Sequence, residues 1–228
     1  MFLEAHAHIK GKNAEKFSFL EAEKLQIKKV FLNAQNEEEL ECLLSLYQEF
    51  PKMIVPFFGF HPFDVEKIKQ ADFFFLEDAL KTYDFLQIGE IGLDKTKPFF
   101  DKQEEIFKKQ LALSLKYQRA ISVHCVKAFS TLIPLLKTIK TAHAPFLFHA
   151  FSGGIMEAKA LQNQSAYFSF SKKAKALSFV PKERILLETD SPSRYASFTE
   201  IVKVYEEVGL DSSLLQNNAK AFLTFRKK

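Results

Sequence analysis

The sequence predicts a (β/α)8 barrel of the TIM type, one domain over residues 1–228. Eight short apolar runs rich in β-formers recur along the chain, and helical patterns lie between most of them. Near-continuous hydrophobicity, rather than strict alternation, marks strands buried on both faces. Strands alternating with helices call for a parallel sheet, and eight is the number that closes a barrel. An open doubly wound sheet is the structural alternative.

The runs, in order, are "FLEAHAH" (2–8), "KVFLNA" (29–34), "MIVPFFGFHP" (53–62) and "FLQIGEIGLD" (85–94), then "AISVHCV" (120–126), "PFLFHAFS" (145–152), "AYFSFS" (166–171) and "RILLETDSP" (184–192). The helical pattern at 36–50 opens on Asn36 as cap with acids in its first turn. The pattern at 101–118 spaces Ile106, Leu111, Leu113 and Leu115 among polar residues. The one at 128–140 carries Pro134, and residues 211–225 read as a closing helix. After "AYFSFS" the connection is short, so "SKKAKALSFV" has room for one or two helical turns. No linker, charge block or repeat divides the chain.

Composition excludes several classes. With 26% charged and 47% hydrophobic residues the chain is neither disordered nor membrane-spanning. The net charge of +4 does not argue for nucleic acid by itself, yet does not oppose an anionic substrate. Cys42 and Cys125 have no paired spacing, and the opening residues lack the layout of a signal peptide. These features read as a cytoplasmic, reduced protein with no membrane and no obligate protein partner.

The reactive residues fall at the trailing ends of the strands: His6 and His8 on the first, His61 on the third, and Glu90 and Asp94 on the fourth. His124 closes the fifth, His149 the sixth and Asp190 the eighth. Side chains at i and i+2 of a strand share a face, so His6 and His8 point the same way. In a β/α barrel every strand end opens onto one rim, where active sites are built. Five of the six histidines occupy such ends; His143 does not and reads as a surface residue. Histidines and carboxylates without paired cysteines suit Zn²⁺, Mn²⁺ or a similar divalent ion. There are enough for two ions sharing a carboxylate, which makes metal-assisted hydrolysis the economical chemistry.

Other positions keep two readings open. Asp94 could orient a ligand or cap the following helix. Ser152, Gly153 and Gly154 could bring backbone amides to an anion or form an ordinary turn. Cys125 should face away from His124 as an apolar filler. "SKKAKA" (171–176) is a solvated basic face, and no aromatic platform for bases can be picked out.

"FLEAHAHI", "GFHP", "QIGEIGLD", "SVHCVKA", "FHAFSG" and "LLETDSP" resemble, in order from residue 2 to about 192, the motifs of TatD-related metal-dependent deoxyribonucleases of the amidohydrolase superfamily; "NNAKAF" (217–222) is a weaker echo. The resemblance implies that His6, His8 and Asp190 hold one metal, and that Glu90 bridges to a second held by His124 and His149. The two would be Zn²⁺, Mn²⁺ or Mg²⁺. It also implies catalytic roles for Asp190, with the attacking water, and for Glu90 and His61, the last facing the scissile phosphate. Lys127 and Ser152 join His61 as expected substrate contacts. Glu4 stands where the family usually has Asp and Lys10 where it has Asp or Asn, Val126 and Lys127 replace a usual Arg and acid, and "SPSRYASFTE" is short and lacks the common Asn-x-Pro. The implied function is cleavage of DNA phosphodiester bonds, exonucleolytic on single-stranded ends. Hydrolysis of a small amide, ester or lactone is the alternative, and a metal-binding scaffold without turnover is a second.

Overall fold

The computed structural model describes residues 2–9, 14–138, 145–190 and 198–224. Among these, eight strands form one sheet in chain order: β1 (Phe2–His8), β2 (Ile27–Ala34), β3 (Ile54–Phe58), β4 (Gln87–Asp94), β5 (Ile121–Val126), β6 (Phe146–Phe148), β7 (Ala166–Phe170) and β8 (Ile185–Leu187). Each pairs in parallel with the next. The chain then returns to β1: the Asp190 N–H donates to His6 O (3.2 Å) and the Thr189 N–H to Glu4 Oε1 (2.9 Å). The result is a nearly closed parallel barrel, as the sequence predicts, and not an open sheet.

Helices α1 (Ala14–Lys24), α2 (Glu37–Glu49), α3 (Gln70–Thr82), α4 (Phe100–Tyr117), α5 (Phe129–Thr138) and α6 (Ile155–Gln162) follow β1 to β6 in turn. Asn36 caps α2 as expected, its Oδ1 accepting from the Glu39 N–H (3.0 Å). Between β7 and β8 the connection holds only 3-10 turns at Lys175–Ser178 and Lys182–Arg184. Two helices, α7 (Thr199–Val208) and α8 (Ser212–Leu223), follow β8. The long apolar runs overstate three strands: β3 stops at Phe58, β6 at Phe148 and β8 at Leu187. His61, His149 and Asp190 therefore sit just past their ladders, on the rim.

Alternation along the strands separates two cores. Val30, Leu32, Ile54, Phe58, Phe146, Phe148, Phe168, Ile185 and Leu187 pack against helix residues such as Leu40, Leu43, Leu76 and Leu111. Residues of opposite parity, Phe31, Phe57, Leu147, Tyr167 and Leu186, form a second cluster with Ala219 and Phe222 of α8. The Phe222 ring lies 5.7 Å from Phe31 and 5.4 Å from Tyr167, closing the base of the barrel. Two residues further along the same parity come Asn33, His149, Ser169 and Glu188, all buried. The barrel interior is thus apolar below and polar at the strand ends. His143 and most of "SPSRYASFTE" lie outside the described residues.

Candidate metal centre

Glu90 is the hub, and the local sequence explains how it gets there. Gly89 and Gly92 flank it with φ near +156° and +158°, values that L side chains rarely adopt. A Cβ on Gly92 would lie 1.9 Å from His124 O, and one on Gly89 2.6 Å from Ser122 Cβ. The two glycines therefore let β4 press against β5 on both sides of Glu90. The β4–β5 register slips between Ile88 and Ile91. That slip leaves Ile88 and Ile91 together in the outer core while Glu90 points inward, fully buried.

Five imidazoles converge on this one carboxylate. His6 and His8 Nε2 lie 3.3 and 3.2 Å from Glu90 Oε2. His124 Nδ1 and His149 Nε2 lie 2.7 Å, and His61 Nε2 3.1 Å, from Oε1. Asp190 Oδ1 approaches His8 Nε2 (3.6 Å) and His6 Nε2 (3.8 Å). The nitrogens also crowd each other, at 3.2 Å for His6–His8 and 3.3 Å for His124–His149. The site opens into a cavity of about 310 Å³ that these groups line together with Gln35, Phe63 and Asp64.

Burial opposes every charge here, so partners decide the protonation. Burial pulls His6 down to about 3, helped by the neighbouring His149. Burial also opposes His8 and His149, but carboxylates outweigh it: Asp190 and Glu90 raise His8 to about 9, and chiefly Glu90 raises His149 to about 9. In Glu90 and Asp190 burial is likewise overcome by the histidines, which hold both carboxyls below their usual range.

Sequence comparison fits this geometry. The model of the TatD related DNase family matches residues 4–206. The chain belongs to the TatD-related DNase family. It is 29% identical over 222 residues to tatdn3 of Danio rerio, covering 84% of this chain and 80% of that protein. It is 27% identical over 175 residues to the 3'-5' ssDNA/RNA exonuclease TatD of Edwardsiella piscicida, covering 72% and 67%. YJJV, a TatD homologue of Escherichia coli, shares the fold with TM-score 0.79 at 20% identity, over 99% of this chain and 98% of that one.

The donor set fits the divalent ions that TatD-like motifs imply. Two atoms each about 2.1 Å from one tetrahedral ion lie roughly 3.4 Å apart. His6–His8, His8–Asp190 and His6–Asp190 measure 3.2, 3.6 and 3.8 Å, and His124–His149 measures 3.3 Å. Ring nitrogens this close can share one proton as an N–H···N bond, or turn both lone pairs to a common cation. Glu90 Oε2 is buried and accepts no hydrogen bond, which leaves its lone pairs for an ion.

Several supporting residues escaped the sequence reading. Ser122 Oγ and Asn33 Nδ2 stand 3.0 and 3.3 Å from His6 Nδ1 and fix the ring from behind. Glu188 Oε1 sits 3.9 Å behind His149 Nδ1, while the carboxylate accepts from Ala150 N–H (2.6 Å) and from Ser169 Oγ. Burial raises Glu188 to about 7. Glu4, raised by burial to about 8, accepts from the His6 and Thr189 N–H groups and ties β1 to β8. Both acids stand two residues before an expected ligand, Glu4 on β1 and Glu188 just past β8, the one signal that could have found them. Helix α4 holds the rim: Gln110 bonds Phe60 N–H (2.7 Å) and O (3.1 Å), and Gln103 bonds Asp94 N–H (2.8 Å) and O (3.1 Å).

Of the residues with two readings, Asp94 stands against a ligand and caps no helix, since α4 begins at Phe100 with Phe99 at its cap position. Its Oδ2 is 3.3 Å from His124 Nε2, and its Oδ1 accepts from the Thr96 N–H (2.8 Å). Cys125 is buried in the outer core. Exposed Lys127 and Ser152 are not among the residues that line the cavity. Ser152 borders a neighbouring cleft with Phe151 and Lys175 instead.

Proposed function

We propose that this chain is a hydrolase of DNA phosphodiester bonds, acting on single-stranded ends with two divalent ions held in the barrel mouth. The observation that carries the reading is the convergence of four histidines and Asp190 around Glu90 at ligand spacing. His6, His8 and Asp190 would hold one ion, His124 and His149 the other, with Glu90 between them. Divalent ions there supply the positive charge that acidifies water and screens phosphate oxygens.

The chain's own residues do the rest. Asp190, ionised and 40% exposed at the mouth, orients the attacking water and takes its proton. The Phe63 N–H donates to His61 Nδ1 (3.2 Å), which leaves a ring proton on Nε2, 3.1 Å from Glu90 Oε1 at the cavity wall. With Glu90 turned to an ion, that N–H would be available to a phosphate oxygen, the substrate contact we assign to His61. Lys127, at the end of β5 and exposed, is placed for a more distant phosphate, as a point charge. Ser152 serves a strand leaving the mouth across the adjacent cleft. We read residues 1–228 as one hydrolase domain. Among the described residues no helix is long and apolar enough to cross a membrane.

The test strips the protein of metal and restores Mg²⁺, Mn²⁺ or Zn²⁺ separately. End-labelled single- and double-stranded DNA is then assayed beside simple esters and amides. Metal-dependent shortening of DNA that His124→Ala and Asp190→Ala both lose is the expected result. DNA cleavage unchanged in both variants, or turnover of amides alone, overturns the reading.

A further inference from the structure

Among the described residues Phe63 is the one apolar aromatic ring that lines the cavity, and it is 51% exposed. An apolar ring gains nothing from standing in water, and this one is not idle packing material: it sits where the loop after β3 enters the site. Its backbone N–H bonds His61 Nδ1, and its ring meets those of His61 and His124 nearly at right angles, with centroids 4.4 and 5.6 Å away. The ring is therefore held in place from behind while much of it faces the opening. The Lys97 ammonium stands 4.2 Å from the ring centroid. Lys95 and Lys97 follow β4 and Lys127 follows β5, all exposed. Among the described residues none of the three lies within ion-pair distance of a carboxylate.

An exposed, fixed aromatic beside unpaired cations is the pairing that single-stranded nucleic acid uses, the base stacking on the ring and the backbone following the charge. We propose that Phe63 is a stacking platform for the base of the terminal nucleotide, with Lys97 beside it meeting the adjoining phosphate. This rests on the phosphodiesterase reading and deepens it. A base inside a duplex keeps its faces covered by its neighbours, so only an unpaired or frayed end can use the platform. Every base has a π-face, so the platform selects strandedness and not sequence.

The probe is a single-stranded oligonucleotide ending in fluorescent 2-aminopurine, whose emission is quenched by stacking. It is added to the full-length chain as wild type, Phe63→Leu and Phe63→Trp. The expected result is quenching by wild type and Phe63→Trp, with affinity about tenfold lower for Phe63→Leu. In parallel, kcat/KM is measured on the same oligonucleotide with an intact or an abasic terminal nucleotide. The loss caused by Phe63→Leu should be about tenfold larger on the intact end and should appear mainly in KM. Equal quenching by wild type and Phe63→Leu, or equal losses on intact and abasic ends, overturns the platform. Absence of metal-dependent cleavage overturns the phosphodiesterase reading instead, and the quenching measurement reads out independently of it.

Discussion

Loading the metal-free protein with a divalent ion at pH 7 should expel about two protons. His8 and His149 are both raised to about 9 when only carboxylates balance them, Asp190 and Glu90 for His8 and Glu90, Glu188 and Asp190 for His149. Both rings are therefore protonated at neutral pH, and both offer the same Nε2 atoms that an ion would need. Removing one proton held two units above ambient pH costs about 2.7 kcal/mol, so the pair costs about 5 kcal/mol at pH 7. Raising pH removes this cost. Apparent affinity should climb about tenfold per pH unit for each ion, and the product for the two about 100-fold, up to about pH 9 and then flatten. Isothermal titration of stripped protein with Mn²⁺ or Zn²⁺, run in two buffers of different ionisation enthalpy, reads the proton count directly. His8→Ala should cut the release to about one proton and the slope of the product to about tenfold per unit. An affinity flat with pH, or no proton release, would refute the assignment of these rings as ligands.

Four further outcomes follow from the same coordinates. Glu188→Ala leaves His149 Nδ1 without its carboxylate and should lower metal affinity about 10- to 100-fold with little change in fold, read by titration and circular dichroism. Gly92→Ala drives a Cβ into His124 O and should cost at least about 4 kcal/mol in urea unfolding. Gly209→Ala, where φ is +70° but nothing lies within 4 Å, should cost only about 1–2 kcal/mol. Glu4, raised to about 8, holds its proton folded and loses it unfolded above its ordinary value of 4.5. Its contribution therefore destabilises progressively between about pH 4.5 and 8, by up to about 5 kcal/mol, and Glu4→Gln should flatten that part of the stability profile.

Much of this was legible because strand geometry is periodic. His6 and His8 obey i, i+2, and parallel strands bring all trailing ends to one rim, so ligand positions far apart in sequence could be grouped from the sequence. What stayed hidden depended on tertiary substitution for regular bonding. The run "MIVPFFGFHP" reads as strand to its end because Phe60 is buried, yet Gln110 from α4, and not a neighbouring strand, satisfies its backbone. Helix α3 was missed because Phe73, Phe74 and Phe75 blur the helical period, although Phe74 is 61% exposed. Helix α6, with eight residues, is too short to show a period. Glu188 lay in plain view in "LLETDSP", two residues before Asp190, but only burial and its bonds to Ala150 and Ser169 reveal it as a support for His149. Phe63 could not be distinguished from other phenylalanines until the loop placed its ring in the opening.

The most direct measurement is anomalous diffraction from crystals of the full chain grown with Mn²⁺. The account predicts two peaks within roughly 2.3 Å of the ligand atoms, one among His6, His8 and Asp190 and one beside His124 and His149, both touching Glu90. Peaks confined to the outer surface, or none within reach of Glu90, would contradict it.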